Sequence, residues 1–256
     1  MRSCFLLLLL ALFVIPQTSG SNLSNSSTPV VVELFTSEGC SSCPPADALL
    51  QHLDAQPVPG TQLIVLSEHV DYWNHIGWKD PYSSALFSQR QEMYAQHFNT
   101  GSVYTPEMVV DGNAEFVGSD GREAQRAITK AQSAEKLPVL ISDALVDRSG
   151  AVSAHVEVSG LTDSLRARSA EVIAVLALDH AESQVLRGEN EGRRLRHVAV
   201  VRSLAKVGTI SKEKGFSQEI RLKTDSGLMP PDLRLVVFVQ DSGSGRILGA
   251  ALHSLR

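Results

Sequence analysis

The rhythm of apolar and polar positions changes part-way along the chain. Residues 30–35 (Val-Val-Val-Glu-Leu-Phe) form a short, almost unbroken apolar run, the pattern of a strand covered on both faces. After a Thr-Ser-Glu-Gly link, residues 40–54 carry Ala46, Leu49, Leu50 and Leu53 at helical spacing. Residues 63–66 predict a second buried strand, and residues 83–98 a helix with Leu86, Phe87, Arg90 and Tyr94 around its turns. Asp111-Gly112-Asn113 lies between two short β-rich runs, 108–110 and 115–117, and predicts a tight hairpin. A polar-faced helix opened by Ser119 as N-cap is expected over residues 119–136. This first half reads β-α-β-α-β-β-α.

Beyond Leu137-Pro138 the period becomes two. Val152, Ala154, Val156 and Val158 alternate with Ser153, His155 and Glu157, and similar runs occupy residues 139–146, 171–178, 216–222, 233–239 and 247–252. Short strands separated by Gly, Asp and Ser turns predict a β-sandwich. Residues 195–204 fit a strand or a helix. Charge changes at the same place: residues 21–136 hold 6 basic and 14 acidic residues, whereas residues 137–256 hold 16 and 14. The expectation is an α/β domain over residues 29–136 and an all-β, sandwich-like domain over residues 137–256, each of ordinary domain size.

Ahead of both, Arg2 precedes an unbroken apolar run over residues 4–15, followed by the small residues Thr18, Ser19 and Gly20. The run is too short to span a bilayer, which needs roughly 20 residues. It predicts a signal peptide over residues 1–20 and a Ser/Asn-rich flexible leader over residues 21–28. Later segments are too short or too polar for a membrane helix, so a soluble periplasmic or secreted protein is expected, with no membrane span. At 43% apolar and 20% charged residues the composition is that of a globular protein. A net charge of −5 lacks the basic footprint of a nucleic-acid binder, so no nucleic acid is expected as a partner.

Export would remove Cys4 and leave Cys40 and Cys43. Two thiols cannot make a four-thiolate zinc site, and closing so short a ring stabilises little in the loop-entropy picture. In an oxidising compartment a lone Cys-x-x-Cys pair points to redox exchange or to soft-metal binding. The pair lies between a buried strand and a helix, whose N-terminal amides and partial positive charge favour a thiolate. By that topology Cys40 is the more exposed member, while Cys43 lies in the first turn with Pro44 and Pro45. Glu38 and Asp47 flank the pair, and their charge opposes a thiolate wherever they approach it. Residues 69–81 carry both tryptophans, Trp73 and Trp78, with Tyr72 and His75, either as one wall of a peptide groove or as a packed Ω-loop. His69 and Asp71 are candidate copper or zinc ligands, or simply hydrogen-bonded. The Gly188-Glu-Asn-Glu-Gly192 segment reads as a turn of the sandwich rather than a phosphate loop, because no clear helix follows it.

Residues 31–47, Val-Val-Glu-Leu-Phe-Thr-Ser-Glu-Gly-Cys-Ser-Ser-Cys-Pro-Pro-Ala-Asp, resemble the secreted thioredoxin-like family catalogued as domain-of-unknown-function family 1223. Further matching motifs are His-Val-Asp-Tyr-Trp (69–73), Gly-Trp-Lys-Asp-Pro (77–81), residues 104–112, residues 188–192 and residues 197–202. The resemblance implies an α/β thioredoxin-like domain in the first half, and activity through the analogy to thioredoxin-like oxidoreductases. By that analogy Pro106, ahead of a strand, is cis and lies against the Cys40/Cys43 disulfide, and Thr105 presents its backbone to substrate; Trp73 is a candidate for lining the substrate groove by its place in the aromatic loop after the second strand. Glu33 is near the position of the buried thioredoxin acid, where a carboxyl accepts the proton of the resolving thiol. The bland alternative is an edge position reaching solvent. The Ser-Ser between the cysteines departs from the Gly-Pro of thioredoxin and the Pro-His of the oxidant DsbA.

The expected function is thiol–disulfide oxidoreduction. Cys40 forms the mixed disulfide with a protein or small thiol substrate, Cys43 resolves it, and a separate redox partner restores the pair. No organic cofactor and no metal are implied. The alternatives are a soft-metal protein holding Cu(I) on the two thiols with help from His69, and a redox-silent interaction module.

Overall fold

The computed structural model describes residues 27–147, 149–223 and 233–255. The expected signal peptide and nearly all of the expected leader lie outside the described residues.

Strand β1 (Thr28–Thr36) is buried from Val30 onward, as its unbroken apolar run requires. Its Val30, Val32 and Leu34 pack under α1 (Pro44–Ala55) and α3 (Gly121–Gln132), while Val31 and Phe35 face α2 (Ala85–Phe98). Parallel to β1 runs β2 (Thr61–His69), in register from Thr28↔Thr61 to Thr36↔His69. On the other side β3 (Glu107–Val110) pairs antiparallel with β1 and returns as β4 (Ala114–Val117). Asp111 and Gly112 take φ of 52° and 58° in the turn between them, a conformation that Asp tolerates and Gly adopts freely. Helix α3 is capped by Asp120, not Ser119: the Asp120 carboxylate accepts from the amides of Arg122 and Glu123.

The second half supplies β5 (Val139–Val146), β6 (Val152–Val158), β7 (Ser169–Gln184), β8 (Arg194–Ser211), β9 (Phe216–Leu222), β10 (Leu233–Asp241) and β11 (Ile247–Leu255). Residues 195–204 are therefore strand, part of a long β7–β8 hairpin paired from Ser169↔Ser211 to Gln184↔Arg194, with register shifts between Val172 and Ile173 and between Leu176 and Ala177.

The expected fold class does not hold. The described residues are 46% strand and 19% helix, with a mixed eight-stranded sheet of order β11-β10-β7-β8-β2-β1-β3-β4 and a three-stranded sheet β5-β6-β9. It is not an α/β thioredoxin-like domain followed by an all-β sandwich. Strand β8 lies parallel to β2, bridged at Ser67↔Val200, so four strands of the second half extend the sheet of the first. The smaller sheet covers that extension, with Val152, Val156, Phe216 and Leu222 packed against Val172, Leu235 and Val237. Period-two alternation records that one face of a strand is buried, but not which sheet the strand joins.

The two halves also meet at their turns. The hairpin turn of β3–β4 abuts that of β10–β11 so closely that a Cβ at Gly112 would stand 2.0 Å from the Gly245 carbonyl oxygen. Among the described residues no helix is long and apolar enough to cross a membrane.

Candidate functional site

Where β1 ends, the chain turns through Ser37: the Cys40 amide donates to the Ser37 carbonyl at 3.1 Å and the Gly39 amide to the Ser37 hydroxyl at 3.1 Å. A second turn, Cys43 N–H to Cys40 carbonyl at 3.2 Å, delivers Cys43 as the N-cap of α1 with Pro44 and Pro45 immediately inside. Cys40 and Cys43 form a disulfide with their Cα atoms 5.5 Å apart. Both are 0% exposed, so the expected difference in exposure is absent in the oxidised pair; Ser41 and Ser42 between them are the exposed residues. Cys40 Sγ lies 3.3 Å from Ser42 Oγ and 3.9 Å from the Thr105 carbonyl oxygen. The Thr105–Pro106 bond is cis. Trp73 donates its indole N–H to the Thr105 hydroxyl at 2.8 Å. Cys40, Cys43, Thr105, Pro106 and Trp73 are thus brought together.

Both tryptophans of the loop after β2 use their indole N–H groups internally. Trp78 donates to Glu38 Oε2 at 2.8 Å, and Asp80 Oδ2 accepts from the Glu38 amide at 2.9 Å. The opposite wall comes from the turn at the tip of the β7–β8 hairpin. Asn190 donates its side-chain amide to the carbonyls of Glu38 (2.8 Å) and Cys40 (2.9 Å), and Glu189 accepts from the Ser41 amide at 3.0 Å. Ser183 donates to Glu38 Oε1. The Gly188–Gly192 turn therefore clamps the cysteine loop rather than merely joining two strands. A sequence separation of about 150 residues hid this contact; the one local sign is an asparagine, fully buried in the structure, inside an otherwise acidic turn.

Beneath the loop lies a buried charge cluster. His197, on β8, has a side chain 1% exposed, with Nε2 3.3 Å from Glu38 Oε1 and Nδ1 3.6 Å from Asp47 Oδ1. Neither nitrogen meets the geometry of a directed hydrogen bond, so these are charge contacts. Burial works against the imidazolium, but the two carboxylates outweigh it and push the pKa of His197 up to about 10. Asp47 stands one helical turn after Cys43, its amide bonded to the Cys43 carbonyl at 3.1 Å and its carboxylate accepting from the Thr36 hydroxyl at 3.0 Å. His69 packs edge-on against His197, ring centroids 4.6 Å apart, and binds Asp80 through Nδ1 at 2.7 Å. Burial raises the Asp80 carboxyl, yet His69 and the amides of Glu38 and Tyr82 together hold its pKa below the ordinary value. Among the described residues no three His, Cys, Asp or Glu side chains are arranged to hold a metal ion.

Glu33 is placed elsewhere. It shares the face of Val31 and Phe35, across the sheet from α1, and does not reach the cysteine side. Its carboxylate accepts from Arg90 Nε and from the Tyr94 hydroxyl, both at 2.6 Å, and neither atom is at an edge or in solvent: Glu33 is 0% exposed. Arg90 Nε also stands 3.5 Å from Glu68, a charge contact without a directed hydrogen bond. Burial first, and the neighbouring Glu33 charge second, push the Glu68 carboxyl well above its ordinary pKa.

Beside Pro106, the buried Glu107 accepts from Gln91 Nε2 at 2.5 Å, and Gln91 in turn accepts from the Tyr72 hydroxyl at 3.1 Å. Burial, only partly offset by Gln91, pushes the Glu107 pKa up to about 7. A raised folded-state value means stability that is complete below the unfolded value of about 4.3 and lost as pH rises through the folded one. Urea unfolding should therefore show a decline from this group, most of it between about pH 4.3 and pH 7, that totals roughly 4 kcal/mol. Glu107→Gln should remove that part of the slope; an unchanged slope in the variant would refute the assignment.

The family described as protein of unknown function (DUF1223) matches residues 31–240. The chain belongs to this DUF1223 family. No curated protein matches the chain. Among solved structures, a crystal structure of an Agrobacterium tumefaciens protein is similar over 88% of this chain and 94% of its own, with 25% identity and a TM-score of 0.67. HBP35 of Porphyromonas gingivalis is similar over 90% of this chain and 76% of its own, at 16% identity and a TM-score of 0.61, a likeness of fold alone.

Proposed function

We propose that this DUF1223 protein is an exported thiol–disulfide oxidoreductase acting in the periplasm or outside the cell. The observation that carries the reading is a closed Cys40–Cys43 pair at the N-terminus of α1, with the Thr105 carbonyl 3.9 Å from Cys40 Sγ. A short-ring disulfide contributes little as a staple, and here the surrounding clamp already holds the loop, so the pair is better explained by its chemistry. Locally the site resembles that of thioredoxin-like oxidoreductases, through the Cys-x-x-Cys turn and the facing Thr105-Pro106 segment.

In the reduced state the Cys40 thiolate attacks a substrate disulfide, forming a Cys40–substrate bond and releasing one substrate thiolate. The Cys43 thiolate then attacks Cys40 Sγ, closing the Cys40–Cys43 bond and releasing the second substrate thiolate. Two electrons pass from the protein to the substrate, and the same steps reversed oxidise a dithiol. The Thr105 backbone beside Cys40 offers a hydrogen-bonding edge to an extended peptide.

Equilibration of the purified protein in glutathione buffers, followed by trapping of free thiols and mass spectrometry, tests this reading. A single two-electron transition in which Cys40 and Cys43 change together is expected. A pair that stays in one state from fully reducing to fully oxidising buffer would overturn it.

A further inference from the structure

We infer that His197 is a positioning residue for the cysteine pair: a buried cation shared by Glu38 and Asp47 that stops those carboxylates from suppressing thiolate formation at Cys40 and Cys43. Its consequence for exchange rests on the function proposed above. The electrostatic claim itself does not.

Glu38 stands two residues before Cys40, and Asp47 four residues after Cys43. They bracket the cysteine pair along the chain, both are buried, and Asp47 lies in the first turn of the helix that Cys43 caps, its amide bonded to the Cys43 carbonyl. A carboxylate within a few ångströms of a thiol raises the thiol pKa, and burial strengthens the repulsion because the local dielectric is low. Two such groups without a cation would leave the site a poor place for a third negative charge. His197 arrives from β8 and stands between them, 3.3 Å from one and 3.6 Å from the other. Its ring nitrogens aim no directed hydrogen bond at either oxygen, so what the ring supplies is charge at close range.

The other groups facing His197 fit that role. His69, from β2, presents the edge of a ring whose Nδ1 is tied to Asp80, and Tyr82 packs at 6.0 Å between ring centroids. On the solvent side, Glu182 is occupied by Arg194 and Arg196. With a cationic His197 the trio of Glu38, Asp47 and His197 carries one net negative charge; with a neutral residue there it carries two.

Thiolate absorbance of the reduced full-length protein, followed across a pH titration, reads the effect without any substrate. In His197→Gln the pKa of the more acidic cysteine should rise by about one unit, equivalent to roughly tenfold less thiolate at any pH well below the wild-type value. Adding Glu38→Gln to that variant should bring the value most of the way back, which lost packing alone would not do. If His197→Gln does not fold, Glu38→Gln and Asp47→Asn in the presence of His197 provide the complementary measurement, each lowering the thiol pKa. Thiol values unchanged from wild type in the folded His197 variant, or in both carboxylate variants, would overturn the inference. A protein inert in glutathione buffers but showing these shifts would refute the proposed function and leave the electrostatic role standing.

Discussion

Arg90→Met is expected to destabilise the protein by about 3–5 kcal/mol, the range for removing one partner of a buried ion pair. The guanidinium is almost completely enclosed. Its Nε holds Glu33, its Nη1 donates to Gln240 Oε1 at 3.1 Å, and its Nη2 donates to the Tyr94 hydroxyl at 3.0 Å. It also lies over the rings of Tyr94 and Phe238, at 5.0 and 5.2 Å from their centroids. One side chain therefore joins α2 to β1 and to β10 from the second half. Methionine fills much of the volume but leaves Glu33 buried without a cation and Gln240 without that donor. Urea unfolding measures the loss, and Arg90→Met combined with Glu33→Gln should recover part of it, because the uncompensated charge is then gone. A loss below about 1 kcal/mol in the single variant would place the network among pairs that are no better than an apolar replacement.

The second large effect concerns activity. Cys40→Ser should reduce disulfide exchange to below roughly one-thousandth of the wild-type rate, since a serine hydroxyl provides no thiolate at neutral pH. Cys43→Ser should still react once and then accumulate a mixed disulfide with substrate on Cys40, visible as a mass increase. The asymmetry follows from placement. Cys40 Sγ faces the Thr105 carbonyl and the exposed Ser42, whereas Cys43 forms the cap of α1. Adduct accumulation on Cys43 in Cys40→Ser, with an inert Cys43→Ser, would exchange the two roles. Stability should change little in either variant, because the ring that is opened is short.

Much of the local structure is set by neighbouring residues and was legible in the sequence for that reason. The apolar run of β1, the helical spacing within α1 and α2, and the Asp111-Gly112 turn each depend on periodicity or on one residue's backbone preferences. So does the position of the cysteines at a strand-to-helix junction. The face on which Glu33 falls was half legible: alternation separates it from Val32 and Leu34, but only the path of the chain decides that α1 covers the latter and α2 the former. Asp120 rather than Ser119 caps α3 because two adjacent capping residues compete, and the one whose carboxylate reaches two amides wins. What local pattern could not contain was the pairing of β8 with β2, and with it the clamp by Asn190 and the placement of His197 between Glu38 and Asp47. A strand's sequence determines which of its side chains point to each face. Which other strand it pairs with is decided by how the whole chain buries its apolar faces at once, and that choice exists only in the tertiary structure.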